Sequence, residues 1–253
     1  MKAAFDRKKA KIMPKAPYIA ERAIVLAAGR GERMRPLTDS VPKPMARIGE
    51  RRIIDTLLAA LVERGFPEIC VVRGYLGEKL NVLREEYPMI RFIDNPHWHE
   101  ANNISSLIAA GNLVENAFII EGDLYLQNPA LLSREQQGTN YLAIPVKETT
   151  DWCFFPDEAG VIRRMAVGGK DCWKMVGISY WTAEDGRKLQ ASLKRLYATP
   201  GGAARYWDEA ALSADIEDFC VHVRACTADD VQEIDTLAEL EALRREHGER
   251  NEK

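Results

Sequence analysis

Hydrophobic positions along the chain change period in a repeating way. Residues 23–28 (AIVLAA) are a short unbroken apolar run, the pattern of a strand buried on both faces. Ile53, Ile54, Leu57, Leu58, Leu61 and Val62 then recur at helical spacing, and Gly65 ends that helix. Residues 68–72 (EICVV) predict a second strand, 77–87 a helix, 89–93 a third strand, 102–114 a helix and 117–120 (AFII) a fourth strand. Strands alternating with helices at this spacing predict parallel βαβ units. After Thr139 the rhythm changes. Residues 141–146, 152–155, 161–167 and 174–181 predict strands joined more by turns than by helices. Helices follow at 183–198 and 203–214, then short strands at 221–224 and 231–234. A last helix spans 236–246, with Thr236 as its cap. The expected fold class is therefore α/β: a Rossmann-like open mixed sheet, mostly parallel with antiparallel additions, and helices on both faces. One domain is expected over residues 21–253, preceded by an arm at 1–20.

In such sheets ligands bind outside the carboxyl ends of the strands. Three predicted strands end in Gly29, Gly74 and Asp123, so all three point at one crevice. The first of these ends is the richest. Gly29-Arg30-Gly31 is followed by Arg33, Arg35 and Lys43, and a glycine-rich cationic loop suits an anion. Glycines let backbone N–H groups approach phosphate oxygens, and the cations neutralise them. The G-x-x-x-x-G-K-[ST] loop is absent, and G-x-G-x-x-G is not completed after Gly31. Lys43 lies between Pro42 and Pro44, which restrict the backbone and favour a positioned side chain over a solvated one. Asp123, directly after a buried strand, is a candidate Mg²⁺ ligand, with an Asx-turn as its structural alternative.

Charge and composition narrow the partners. The chain has 253 residues, 46% of them hydrophobic, and a net charge of -3, so a dedicated nucleic-acid binder is not expected. Lys2, Arg7, Lys8, Lys9, Lys11 and Lys15 make the arm basic. A short helix is possible at 3–12, and the arm reads as a solvated tail rather than a partner contact. No apolar stretch suits a secretory signal or membrane insertion. The five cysteines (70, 153, 172, 220 and 226) form no C-x-x-C pair. They read as reduced thiols of a cytoplasmic protein, and His97 and His99 as a polar surface turn.

The string L-A-A-G-x-G-x-R-M-x-P-L-T followed by P-K-P resembles the nucleotidyltransferase superfamily. The segments NPHWHEANNISSL (95–107), EGD (121–123), GISYW (177–181), RYWD (205–208) and VQEID (231–235) are similar to those of bacterial CTP:phosphocholine cytidylyltransferases, over about residues 22–245. Asn102-Asn103-Ile104-Ser105-Ser106 stands where sugar-nucleotide enzymes carry a G-T-A-x-A-like segment, which weighs against a sugar phosphate.

The resemblance implies CTP and phosphocholine as small-molecule substrates and Mg²⁺ as cofactor. It places the backbone of Leu26, Ala27, Ala28 and Gly29 at the nucleotide. Gly31, Glu32 and Arg33 would wrap the triphosphate, and Lys43 would reach its phosphates; Arg33 and Lys43 are the candidate catalytic cations. Gly74, Tyr75 and Asn103 are candidates for the base pocket. Asp235 is the implied second metal ligand, although Asp235-Thr236 also suits a helix start. Trp152, Tyr206, Asp208 and Glu233 are implied on the choline side, because aromatic faces and carboxylates bind a quaternary ammonium. The alternatives are 2-aminoethylphosphonate or a sugar-1-phosphate as acceptor, or a nucleotide-sensing module without catalysis. The oligomeric state stays open.

Overall fold

The computed structural model describes residues 17–251; the possible helix at 3–12 lies outside them. In chain order the main elements are β1 (Arg22–Ala27), α1 (Ile53–Glu63), β2 (Glu68–Arg73), β3 (Ile90–Asp94), α2 (Ile104–Ala110), β4 (Ala117–Glu121), β5 (Leu124–Leu126), β6 (Asn140–Pro156), β7 (Ile162–Trp181), α3 (Ala183–Tyr197), β8 (His222–Ala225), β9 (Val231–Glu233) and α4 (Leu237–Asn251).

β1 is central because both its faces are apolar. Ala23, Val25 and Ala27 join one buried cluster, and Ile24, Leu26 and the following Ala28 join the other. β2 and β4 flank it and alternate in the same way, through Ile69 and Val71 against Cys70 and Val72, and Phe118 and Ile120 against Ala117 and Ile119. α1 covers the first face with Ile54, Leu57, Leu58 and Leu61. α2 and α3 cover the second with Ile104, Leu107, Leu189 and Leu193. Truncating one such leucine, as in Leu57→Ala, removes about 2–5 kcal/mol.

The seven-stranded sheet runs β8-β6-β7-β4-β1-β2-β3. β1 pairs in parallel with β2 and β4, β2 with β3, and β6 with β8, whereas β6–β7 and β7–β4 are antiparallel. This is the mostly parallel mixed sheet that the periodicity predicts.

The second half corrects several expected elements. The four predicted strands between 141 and 181 are two long bent ones. The first part of β6 pairs with the end of β7 (Asn140↔Tyr180, Thr149↔Gly169), and its last part with the start of β7 (Trp152↔Val167, Pro156↔Ile162). The ladder bends at Thr150-Asp151 and at Gly168, whose φ is 71°. The hairpin tip returns to the sheet edge, where Ile162 N donates to Val221 O (2.8 Å) and Val223 N to Gly160 O (2.9 Å). The expected helix at 77–87 is a 3₁₀ turn, Gly77–Leu80, followed by one short helix, Leu83–Glu86. The helix expected over 102–114 changes to a 3₁₀ turn at Gly111, whose φ is 60°. The helix expected at 203–214 is a 3₁₀ turn, an extended stretch from Arg205, and one π-helical turn, Ala210–Ala214.

Two pairings were not expected. Tyr18–Ile19 pairs with Gln136 and Glu135, which lays this part of the predicted arm on the body. β5 pairs antiparallel with β9. α4 follows, capped as predicted: Glu239 N donates to Thr236 Oγ1 (3.2 Å) and Thr236 N to Glu239 Oε2 (2.8 Å), a reciprocal capping box. Leu240 and Leu243 of α4 pack with Met34, Ala46 and Ile234, clamping the loop after β1. The five cysteines are free thiols, and only Cys220 is exposed. Among the described residues no helix is long and apolar enough to cross a membrane.

Candidate active site

The loop after β1 is shaped by two constraints on glycine. Gly31 has φ 62°, and a Cβ there would stand 3.0 Å from Lys43 Cβ and 3.1 Å from Thr38 Cγ2. Gly122, just past β4, would bring a Cβ within 2.5 Å of Leu26 O. Its N–H donates to that same oxygen at 2.9 Å, so the ends of β1 and β4 are drawn together. Asp123 is thereby fixed beside the loop. The β5–β9 register places Glu233 opposite Leu124, and Ile234 N donates to Asp123 O (3.1 Å). Asp235 follows directly. Local glycine chemistry and one non-local strand pair thus bring Asp123, Glu233 and Asp235 together, with a ligand oxygen of each within 4.8 Å of the others.

Lys43 lies on the 3₁₀ turn Lys43–Met45 and is buried. Its Nζ donates to Asp123 Oδ2 (2.6 Å) and Asp235 Oδ1 (2.7 Å), and Arg33 Nη2 pairs with Asp235 Oδ1 at 2.7 Å. Burial alone would depress the Lys43 ammonium, but the two aspartates outweigh it and hold its pKa above the ordinary lysine value. Burial pushes Asp235 up; Lys43 and Arg33 overcome it and hold the carboxyl below its ordinary value. Glu233 is pushed up to about 8, first by desolvation and then by Asp123 and Asp235. Asp123 Oδ1 is buried with no hydrogen-bond partner. An orphaned carboxylate oxygen in an all-oxygen donor set fits a hard cation such as Mg²⁺.

These groups form one end of a cleft of about 730 Å³. The sequence-predicted Leu26, Ala27, Ala28, Gly29, Gly31, Glu32, Arg33 and Lys43 line it, and Asn103, Asp123, Trp152, Tyr206, Asp208, Glu233 and Asp235 complete it. Gly74 and Tyr75 are not among its walls. Gly74 packs behind the loop, where a Cβ would be 2.9 Å from Ala28 O, and Tyr75 braces it through N–H to Ala28 O (3.0 Å) and OH to Thr38 O (2.9 Å). Trp98, which sequence reasoning missed, lines the cleft and packs on Tyr75 at 5.5 Å.

Aromatic and acidic groups dominate the far end. The rings of Trp152 and Tyr206 meet edge-to-face at 6.0 Å. Trp152 sits at the bend of β6, beside an Asp151–Lys174 ion pair of 2.6 Å. Glu209 holds the Arg205-Tyr206 stretch, accepting from Tyr206 N (2.8 Å) and pairing with Arg205 (2.6 Å). Asp208 is buried, and Tyr141 OH donates to its Oδ2 at 3.4 Å. Burial raises its carboxyl to about 7, with Glu209 adding to the shift. Asn103 has both ends of its amide engaged: Nδ2 donates to Glu121 Oε1 (3.1 Å) and Oδ1 accepts from Trp207 N (2.9 Å). Glu121, at the end of β4, is a further cleft carboxyl that sequence reasoning passed over. Desolvation holds its pKa well above the ordinary value, with Asp123 and Asp208 adding to the effect. Its one signal was the tripeptide Glu121-Gly122-Asp123 at a strand end. His97 and His99 lie exposed on a turn, as expected.

Comparison with known proteins agrees with this geometry. A 2-aminoethylphosphonate cytidylyltransferase of Lancefieldella rimae is 35% identical over 229 residues, 89% of this chain and 92% of that protein. A choline-phosphate cytidylyltransferase of Streptococcus pneumoniae is 26% identical over 88% of this chain and 96% of its own length. The solved structure of the CTP:phosphocholine cytidylyltransferase from that organism matches with a TM-score of 0.83 at 26% identity, covering 89% of this chain and 98% of that one. Residues 23–199 match the MobA-like NTP transferase domain, and they carry the glycine loop, Lys43 and Asp123. The chain therefore belongs to the MobA-like NTP transferase domain family and is a nucleotidyltransferase.

Proposed function

We propose that the protein is a cytidylyltransferase that moves CMP from CTP to 2-aminoethylphosphonate, releasing pyrophosphate. The observation that carries this reading is the composition of the cleft away from the loop: the carboxyls of Asp208 and Glu121 line it together with the Trp152–Tyr206 ring pair. A primary ammonium needs hydrogen-bond acceptors, and acids supply them; a trimethylammonium needs aromatic faces on several sides. The 35% identical relative is named for the same acceptor.

In this reading a phosphonate oxygen attacks the α-phosphorus of CTP in line, and the bond from that phosphorus to the oxygen bridging to the β-phosphorus breaks. Pyrophosphate leaves with the bond's electron pair. No covalent enzyme intermediate is needed, so the residues act by positioning and by charge. Backbone N–H groups of the Gly29–Gly31 loop approach the triphosphate. Arg33 and Lys43 neutralise charge that accumulates toward pyrophosphate. Asp123 and Asp235, with Glu233, would hold Mg²⁺. Such an ion would supply further positive charge against the phosphates.

A second reading keeps the reaction and takes phosphocholine as acceptor. The Trp152–Tyr206 pair favours it, as does the 0.83 TM-score to the pneumococcal enzyme. Pyrophosphate release decides between them. Each of the four nucleoside triphosphates is tested with 2-aminoethylphosphonate, phosphocholine and glucose-1-phosphate. Release with CTP and 2-aminoethylphosphonate at the highest kcat/KM is expected. A preference for phosphocholine establishes the second reading, and release only with glucose-1-phosphate overturns both.

A further inference from the structure

We propose that Glu121 is a specificity-determining residue of the acceptor site: its free oxygen receives an N–H of a primary ammonium, and so favours a 2-aminoethyl acceptor over a trimethylammonium one. The inference rests on the cytidylyltransferase reading above.

Glu121 closes β4 and lines the cleft two residues before Asp123. Only one of its oxygens is used by the protein. Oε1 accepts from Asn103 Nδ2 at 3.1 Å and from Trp207 Nε1 at 3.0 Å. Oε2 has no hydrogen-bond partner among the described residues.

The side chain is held as well as bonded. On one side stands Gly177 of β7, where a Cβ would lie 2.5 Å from Glu121 Cγ and 2.8 Å from its Cβ. On the other side Trp207 stacks on Tyr141 at 6.0 Å and 10°. Any side chain at 177 would push the carboxyl out of this place, and a mobile ring at 207 would remove a donor that fixes Oε1. With Oε1 engaged, Oε2 is the acceptor that remains to Glu121 in the cleft it lines together with Asp208.

A trimethylammonium has no N–H to give this oxygen, and its methyl groups hold the nitrogen further away. A site built to accept a hydrogen bond discriminates strongly against an analogue that lacks the donor.

The test uses the full chain at saturating CTP. Glu121→Gln keeps an oxygen for Asn103 and Trp207 and turns an amide N–H₂ toward the cleft. The ratio of kcat/KM for 2-aminoethylphosphonate to that for phosphocholine should fall at least about tenfold, with KM for CTP within about twofold. An unchanged ratio, even with both rates lowered, overturns the inference and leaves Glu121 as a brace for Trp207.

A second measurement needs no variant. Wild-type kcat/KM along phosphoethanolamine and its mono-, di- and trimethylated forms should fall with methylation, most steeply at loss of the last N–H. A flat or rising series overturns the inference. Wild-type protein that releases no pyrophosphate from CTP with any of these acceptors defeats the cytidylyltransferase reading instead.

Discussion

The two ends of the cleft are built in opposite ways. In the proposed reading the phosphate end is set by backbone: the Gly29–Gly31 loop and the Gly122 junction place Lys43, Arg33 and Asp123, and the β5–β9 pair brings up Glu233 and Asp235. The proposed acceptor end is made of side chains from separate places: Glu121 on β4, Trp152 at the bend of β6, Tyr206 after the extended Arg205, and Asp208 in the turn that opens the π-helical segment. Backbone at the ends of central strands cannot change without moving the sheet. Side chains on a bent hairpin and a short turn can. On this reading the fold keeps the transfer chemistry rigid and leaves acceptor choice to replaceable groups.

Lys43→Ala should break the phosphate end most deeply. The substitution leaves Asp123 and Asp235 facing each other without their shared cation, 2.6 and 2.7 Å from where Nζ stood. A fall in kcat of about 10²–10³ is expected, with KM for the acceptor changed less than about threefold. An equal rise in acceptor KM would show that the two ends are not separable.

Two glycines put the comparison on one footing. Gly122→Ala sets a Cβ 2.5 Å from the backbone oxygen of Leu26, which cannot yield without parting β1 from β4. A stability loss on the order of 1–3 kcal/mol is expected from overpacking, read as a lowered urea midpoint, together with loss of activity on every acceptor. Gly177→Ala meets instead the side chain of Glu121. Glu121 can rotate, so stability should fall by less, while kcat/KM for the amine acceptor drops about tenfold, as for loss of one hydrogen bond to a charged group. If both variants behave alike, the acceptor end is as rigid as the phosphate end.

The same contrast explains how much of the molecule was legible in its sequence. The β1 loop could be read because its function is carried by neighbours in the chain, and each residue type there has a physical reason to be present. Parallel strands were legible from unbroken apolar runs. The bent hairpin was not, because the polar pair Thr150-Asp151 looks like the end of a strand when it is only its corner. β5 was missed because three residues, LYL, carry no period. With it went the pairing that brings Glu233 to Asp123 and Asp235. Asn103, read as a base-pocket candidate, lines the cleft, but its amide also bonds Glu121 and Trp207, which lie 18 and 104 residues away. Such partners leave no trace in local spacing. The stretch at 203–214 reads as one helix, but the chain is extended at Arg205, and Glu209, accepting from Tyr206 N, starts a new turn that carries Asp208.

The smallest expected effect concerns Asp208 and has a definite sign with pH. Its folded-state value of about 7 lies above the roughly 3.9 of an unfolded aspartate. The folded protein therefore keeps this proton where the unfolded chain has lost it. The stability that it contributes is full below about pH 4, and it is lost as pH rises from there through about 7. Between pH 6 and pH 8 the unfolded carboxyl is already ionised, and the folded one passes from mostly protonated to mostly ionised. The loss over that interval is about 1.4 kcal/mol. Asp208→Asn removes the titration and keeps an acceptor for Tyr141 OH. Urea unfolding of wild type and variant at pH 6 and pH 8 isolates this group from Glu121 and Glu233, whose carboxyls are also raised. The variant should gain on wild type by about 1.4 kcal/mol between the two pH values. Parallel behaviour would mean that Asp208 is hydrated in the open cleft. The amine end would then be a solvent-filled pocket as accessible as the phosphate loop, and the contrast between the two ends would lose its electrostatic half.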